Sequence, residues 1–136
     1  MTYDEAFEIL LKDGTIYVPP YDAVFDFVGS VLRRDIRCFY LLDQSYQSGE
    51  ATLVLLSVLY NNVKALLQVQ SCHSQDISKV TGLSGWQIKN VIDKKGFYDN
   101  DELVNLLKII QKVENGIKTG KIDEKLAVDY ILVRCL

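Results

Sequence analysis

The sequence predicts an all-α fold, a helical bundle of seven to eight helices that contains a helix-turn-helix-like unit. Apolar residues recur at three- and four-residue spacings along most of the chain, and the alternation typical of half-buried strands is nearly absent. Three segments also carry the capping box, a polar pattern with which helices commonly begin. Since 49% of the 136 residues are hydrophobic, the chain can bury one substantial core.

The N-terminal segment predicts a short helix followed by an extended connector. The first capping box, Thr2 to Glu5, precedes an amphipathic stretch that reaches Leu10. Residues 15–20 end in two prolines, which interrupt helical hydrogen bonding, so we expect this segment to be a linker.

Three helices are expected in the next fifty residues or so. Asp22 can cap a helix that runs to about Arg34, and Asp35 can begin a second helix that ends near Gly49. Residues 50–71 form the longest predicted helix of the first half, and most of its circumference is apolar. Such a helix belongs in the middle of a bundle.

The helix-turn-helix-like unit occupies residues 75–92. A short helix leads to a turn at Gly82, and a capping box at residues 84–87 opens the second helix.

Two more helices complete the predicted bundle. A capping box at residues 99–102 begins a long leucine-rich helix that ends at the Thr-Gly pair 119–120. Asp123 can cap the last helix, whose apolar residues on one side are Leu126, Ala127, Tyr130 and Ile131.

The composition of the chain argues against several classes of protein. A formal net charge of −3 and a pI near 5.1 do not suit a protein whose main task is to hold nucleic acid, because phosphate binding usually requires an excess of basic residues. The acidic N-terminus is unlike a signal peptide, and no apolar run approaches the roughly 18 residues that span a membrane. We therefore expect a cytoplasmic protein without a membrane segment.

No group of residues predicts a cofactor, a metal site or an active site. Cys38, Cys72 and Cys135 lie far apart and His73 is the single histidine, whereas a structural zinc needs about four ligands at short spacings. Residues 116–120 resemble a phosphate-binding loop only in composition, since they end a helix instead of joining a strand to a helix. We expect no cofactor and no catalysis by this domain.

A small DNA-binding regulator is the alternative that the helix-turn-helix-like unit suggests. Gln87, Lys89, Asn90 and Lys94 could contact bases or phosphates from its second helix. However, residues 64–99 contain five lysines and three aspartates, and the resulting net charge of only +2 is a weak field for binding phosphate.

Trp86 lies in the first turn of that second helix, about 160° away from the mean direction of its apolar residues. The indole can pack back on the preceding short helix, or it can face a partner as an aromatic anchor.

The order of the segments resembles that of one protein family. FDFV at residues 25–28, a helix ending in YQSGE at residues 46–50, and LLSVLYNNVKALLQVQ at residues 55–70 resemble the third domain of the delta subunit of bacterial DNA polymerase III. ISKVTGLSGWQIKNVI, DELVNLLKIIQKVENGIKTGKID and EKLAVDYILVRCL then follow in the order of that family's motifs. Each motif is weak alone, but together they are collinear. Gly85 and Lys64 depart from the family pattern, which often has proline and arginine there.

The resemblance implies a role in the clamp loader of DNA replication. The delta subunit is one of the AAA+-related subunits of that loader, and its third domain forms part of the helical collar that holds the subunits together. We thus expect a non-catalytic oligomerisation domain at residues 21–136, preceded at residues 1–20 by a remnant of the previous domain and its linker. The chain would be part of a longer protein, within a holoenzyme that is a DNA-directed DNA polymerase.

The partners that the resemblance implies are the tau/gamma-type and delta-prime-type subunits of the loader. DNA and the sliding clamp would be contacted only through the parent complex, and neither a membrane nor a small-molecule substrate is expected. We expect exposed side chains of the last two helices, Tyr130 and Leu132 among them, to supply subunit contacts, together with Trp86 if it faces outward.

Overall fold

The computed structural model of the chain describes residues 20–72 and 76–135. These two ranges contain seven α-helices and no strand, which confirms the all-α prediction. The helix predicted at residues 2–10, the connector at residues 15–19 and His73 lie outside the described residues. In chain order the helices are α1 (Pro20–Leu32), α2 (Cys38–Gln47), α3 (Thr52–Ser71), α4 (Ile77–Thr81), α5 (Gly85–Ile92), α6 (Asn100–Lys118) and α7 (Glu124–Cys135).

The first two helices begin at residues that differ from the prediction. α1 starts at Pro20, two residues before the predicted cap, because proline is well tolerated in the first turn of a helix, where its missing N–H would have no partner. The predicted start of α2 at Asp35 is wrong, since that helix begins at Cys38. The carboxylate of Asp35 instead accepts a hydrogen bond from the backbone N–H of Arg37 at 3.0 Å, in a turn that precedes the helix.

α5 and α6 begin at the residues that their capping boxes predict. The side chain of Ser84 accepts a hydrogen bond from the N–H of Gln87 at 3.2 Å, and the side chain of Gln87 accepts one from the N–H of Ser84 at 2.9 Å. Asp99 and Glu102 make the same exchange at 2.7 and 3.0 Å. Each exchange satisfies two N–H groups that no helical carbonyl can reach, and it therefore sets the residues at which α5 and α6 start.

α3 lies at the centre of the bundle. It packs against α1, α4, α5, α6 and α7, and its inward side chains Leu55, Leu59, Val63 and Leu66 have no exposed surface. By length and composition alone, α3 is also apolar enough to cross a membrane, with a mean hydropathy of 1.3 over 18 residues. The prediction from sequence did not identify this property. Because five helices of the same domain surround it, we assign α3 to the protein core, where apolar helices are normal.

The structure contains the predicted helix-turn-helix-like unit. α4 ends at Gly82, whose φ of 75° is left-handed and suits glycine, and α5 starts three residues later. α4 has no buried residue, whereas α5 buries Val91 and packs closely against α3. The unit is thus anchored to the core through its second helix.

Candidate interaction surfaces

The last helix carries apolar side chains on two opposite faces. The inner face of α7 is buried against α2, α3 and α6, and consists of Ala127, Val128, Ile131, Leu132 and Cys135. The outer face consists of Leu126, Tyr130 and Val133, which are 64%, 45% and 69% exposed. At about 100° per residue, the mean directions of the two faces lie about 165° apart. The core of the bundle uses only the inner face, so the second apolar face is a candidate contact surface for another protein.

Tyr130 and Leu132 lie on different faces of α7. Leu132 is fully buried, so the expectation that its side chain is exposed to a partner is wrong. The physical reason is their spacing, because two positions along a helix correspond to about 200° around it. Tyr130 remains on the outer face, where the guanidinium of Arg134 lies 4.3 Å from the centroid of its ring in a cation–π contact.

An acidic cleft of about 480 Å³ lies beside the N-terminal end of α7. The end of α2, the start of α3 and the start of α7 form its walls. Its lining contains four carboxylates and one ammonium group, and consists of Leu42, Asp43, Tyr46, Glu50, Ala51, Thr52, Glu124, Lys125 and Asp129. Burial raises the pKa of Tyr46, and the negative charges of Asp129, Glu124 and Asp43 act in the same direction.

Trp86 lies on the surface beside α1. Its indole is 56% exposed, and it meets the ring of Phe25 edge-on with a centroid distance of 5.7 Å. A cleft of about 220 Å³ next to it is lined by apolar side chains and by four amides, those of Asn61, Asn62, Gln87 and Asn90. Among the described helices, α3 is the only one against which both α5 and α7 pack closely. Trp86 thus lies beside α1, whereas Tyr130 lies on α7, which packs against α2, α3 and α6.

Two of the four side chains considered for DNA contact form hydrogen bonds within the protein. Gln87 completes the capping box of α5. The ammonium group of Lys94 donates to the backbone carbonyl of Asn90 and, at 3.3 Å, to the carboxylate of Asp93. Among the described residues, the side chains of Lys89 and Asn90 form no hydrogen bond, since the bond from Lys94 reaches only the backbone carbonyl of Asn90. This arrangement leaves little basic surface for a DNA backbone.

The environments of Cys38, Cys135 and residues 116–120 indicate structural roles. Burial raises the pKa of Cys38 and raises that of Cys135 to about 11, which disfavours the reactive thiolate. Residues 116–120 end α6, as predicted, and Gly120 has a left-handed φ of 75°. Within the described ranges, no three His, Cys, Asp or Glu side chains are grouped so that they could hold a metal ion. The described residues thus form a helical module that carries an exposed apolar face and an acidic cleft.

Comparison with known proteins assigns the chain to a family. The model for the family described as DNA polymerase III delta subunit, C-terminal domain, matches residues 21–135, and the chain belongs to this family. This confirms the resemblance seen in the sequence, and nothing in the match or in the structure supports the alternative of a small DNA-binding regulator.

A solved structure shares the fold. It is that of the Bacillus subtilis DNA clamp loader delta protein (YqeN), which is similar to this chain with a TM-score of 0.74 at 14% sequence identity. The similarity covers 96% of this chain but only 39% of that protein, so the chain spans about two fifths of its length. No curated protein sequence matches the chain.

Proposed function

We propose that this chain is the collar domain of a delta-type clamp-loader subunit, which holds the subunit to its neighbours by burying apolar helix faces and performs no catalysis itself. In this proposal residues 21–136 form the collar domain, and residues 1–20 are the end of a preceding domain with its linker. The neighbours are subunits of the tau/gamma and delta-prime types, and the complex is cytoplasmic. The single observation that carries the proposal is the exposed apolar outer face of α7.

The size of the outer face indicates how much it can contribute. Full burial of one large apolar side chain stabilises a complex by roughly 1.5–3 kcal/mol. Leu126, Tyr130 and Val133 are each about half exposed or more, so their burial adds a few kcal/mol. A nanomolar complex requires roughly 12 kcal/mol. The outer face therefore needs further contacts beside it to form a stable interface, and the exposed Trp86 beside α1 is another candidate for a contact with a neighbouring subunit.

A pull-down with the other loader subunits tests this proposal. The full-length protein, carrying Val133→Asp, is co-expressed with the tau/gamma-type and delta-prime-type subunits. We expect the substitution to reduce the recovered complex strongly, because it places a charge in an apolar contact. Val80→Asp on α4 is the matched control, since Val80 is a comparably exposed valine at 63%, and it should leave recovery unchanged.

Far-UV circular dichroism and thermal unfolding of both variants show whether the fold is retained. If the unsubstituted full-length protein recovers none of the other subunits, the proposal is wrong.

A further inference from the structure

The acidic cleft and the outer face of α7 meet at Asp129. This residue lines the cleft, and it is also three positions after Leu126 and four positions before Val133 on the same helix. Residues three or four apart are neighbours on a helix surface. Any segment that covers the outer face therefore passes the mouth of the cleft.

The cleft combines an apolar floor with unpaired negative charge. Leu42 is 3% exposed and the half-buried ring of Tyr46 lies beside it. None of the four carboxylates, Asp43, Glu50, Glu124 and Asp129, forms a salt bridge with any described residue. Lys125 is the one cation in the lining. Like charges held close together repel one another, and a cation among them would be stabilised.

We propose that the segment of the neighbouring subunit that covers α7 places a lysine or arginine side chain in this cleft, next to apolar side chains that lie on Leu126 and Val133. This inference rests on the proposed function and adds the chemistry of the partner: an amphipathic segment whose apolar stripe is flanked by positive charge. The apolar floor receives the methylene stem and the carboxylates receive the charged head. The volume of about 480 Å³ lies within the range of roughly 300–1,000 Å³ found for binding pockets.

A matched pair of double variants tests the inference. In the full-length protein, Asp43→Asn together with Asp129→Asn removes two charges from the cleft. Asp26→Asn together with Asp101→Asn removes two exposed charges from α1 and α6, and neither of these aspartates forms a salt bridge within the described ranges. Affinity for the co-purified tau/gamma-type and delta-prime-type subunits is measured at low and high salt.

The cleft variant should bind about 5- to 30-fold more weakly at low salt, which corresponds to about 0.5–1 kcal/mol for each lost charge pair. The difference from the unsubstituted protein should largely disappear near 0.5 M salt, because screening already removes the attraction there. The control variant should stay within about twofold at both salt concentrations.

The outcomes separate the two proposals. If the cleft variant binds with the affinity and salt dependence of the unsubstituted protein while Val133→Asp still abolishes binding, this inference is overturned and the proposed function stands. If the unsubstituted protein binds no loader subunit, the proposed function fails. A dimer of the protein alone that the cleft variant dissociates would make a second copy the occupant, and would also overturn the inference.

Discussion

The phenolic hydroxyl of Tyr98 donates a hydrogen bond of 2.6 Å to the backbone carbonyl of Val31. Tyr98 lies just before α6 and Val31 lies in the last turn of α1, so this bond joins segments 67 residues apart. The carbonyl of Val31 also accepts a hydrogen bond from the backbone N–H of Arg34 at 3.0 Å, so Tyr98 is its second donor. The guanidinium of Arg34 lies over the ring of Tyr98, 4.2 Å from its centroid.

Tyr98→Phe should lower the free energy of unfolding by about 1–2 kcal/mol. The substitution removes a buried hydrogen bond but keeps the ring, which is 3% exposed, in its packing. Urea denaturation at neutral pH measures the effect. Tyr40→Phe is the control, because the hydroxyl of Tyr40 accepts its bond from Gln44 on the surface, and it should change stability by less than about 0.5 kcal/mol. Equal effects of the two variants would contradict this account of Tyr98.

We expect the protein to lose stability as the pH rises from about 9 to about 11, because the buried thiol of Cys135 ionises in this range. Burial raises the pKa of its thiol from 9.0 to about 11 in the folded protein. Between these values the folded state binds more protons than the unfolded state, so the stability is present below pH 9 and is lost as the pH passes 11. The loss amounts to at most about 3 kcal/mol.

Unfolding by urea at several pH values, for the unsubstituted protein and for Cys135→Ala, measures this contribution. The decrease between pH 9 and 11 should be smaller in Cys135→Ala than in the unsubstituted protein. Parallel pH profiles for the unsubstituted protein and Cys135→Ala would rule out a role for this thiol.

Gly116→Ala should destabilise the domain by about 1–3 kcal/mol, because the added methyl group overpacks the core. A Cβ atom at this position would lie 2.4 Å from Cδ1 of Ile122 in the turn after α6. Gly85→Ala is the control, since a Cβ atom there meets nothing within 4 Å, and it should be neutral or slightly stabilising. Thermal unfolding monitored by circular dichroism compares the two variants.

A double-mutant cycle tests the cause of that destabilisation. If the contact with Ile122 is responsible, Ile122→Ala combined with Gly116→Ala should cost less than the sum of the two single changes. If the effects of the two substitutions are additive, the added methyl group does not clash with Ile122. The destabilisation by Gly116→Ala would then have another cause.

Local patterns predicted several helix ends correctly, because the groups that define those ends are close in sequence. The boxes at Ser84 and Asp99 are reciprocal hydrogen bonds between residues three apart, and their partners are visible in the sequence. Asp35 is an aspartate, as Asp99 is, but it caps no helix. Its carboxylate is engaged by the guanidinium of Arg37 at 2.6 Å, and a capping pattern gives no sign of that competing turn.

The candidate surfaces were predictable only in part. The sequence places Leu126 and Tyr130 on one side of α7 with Ala127 and Ile131, but the structure separates them into an outer and an inner pair. A helix with apolar residues on two opposite faces contains no signal for which face points to the core, because the neighbouring helices decide that. The acidic cleft joins residues from α2, α3 and α7, and a pattern along the chain cannot reveal such an assembly.

The central position of α3 has a consequence for how this domain comes apart. Five of the other described helices rest on it, and opening α3 would expose the buried faces of α1, α5, α6 and α7 at the same moment. Local opening there is thus equivalent to global unfolding, and α1, α5, α6 and α7 behave with α3 as one cooperative unit. α4, which buries no residue, is the segment that can open and close while the rest of the bundle stays folded.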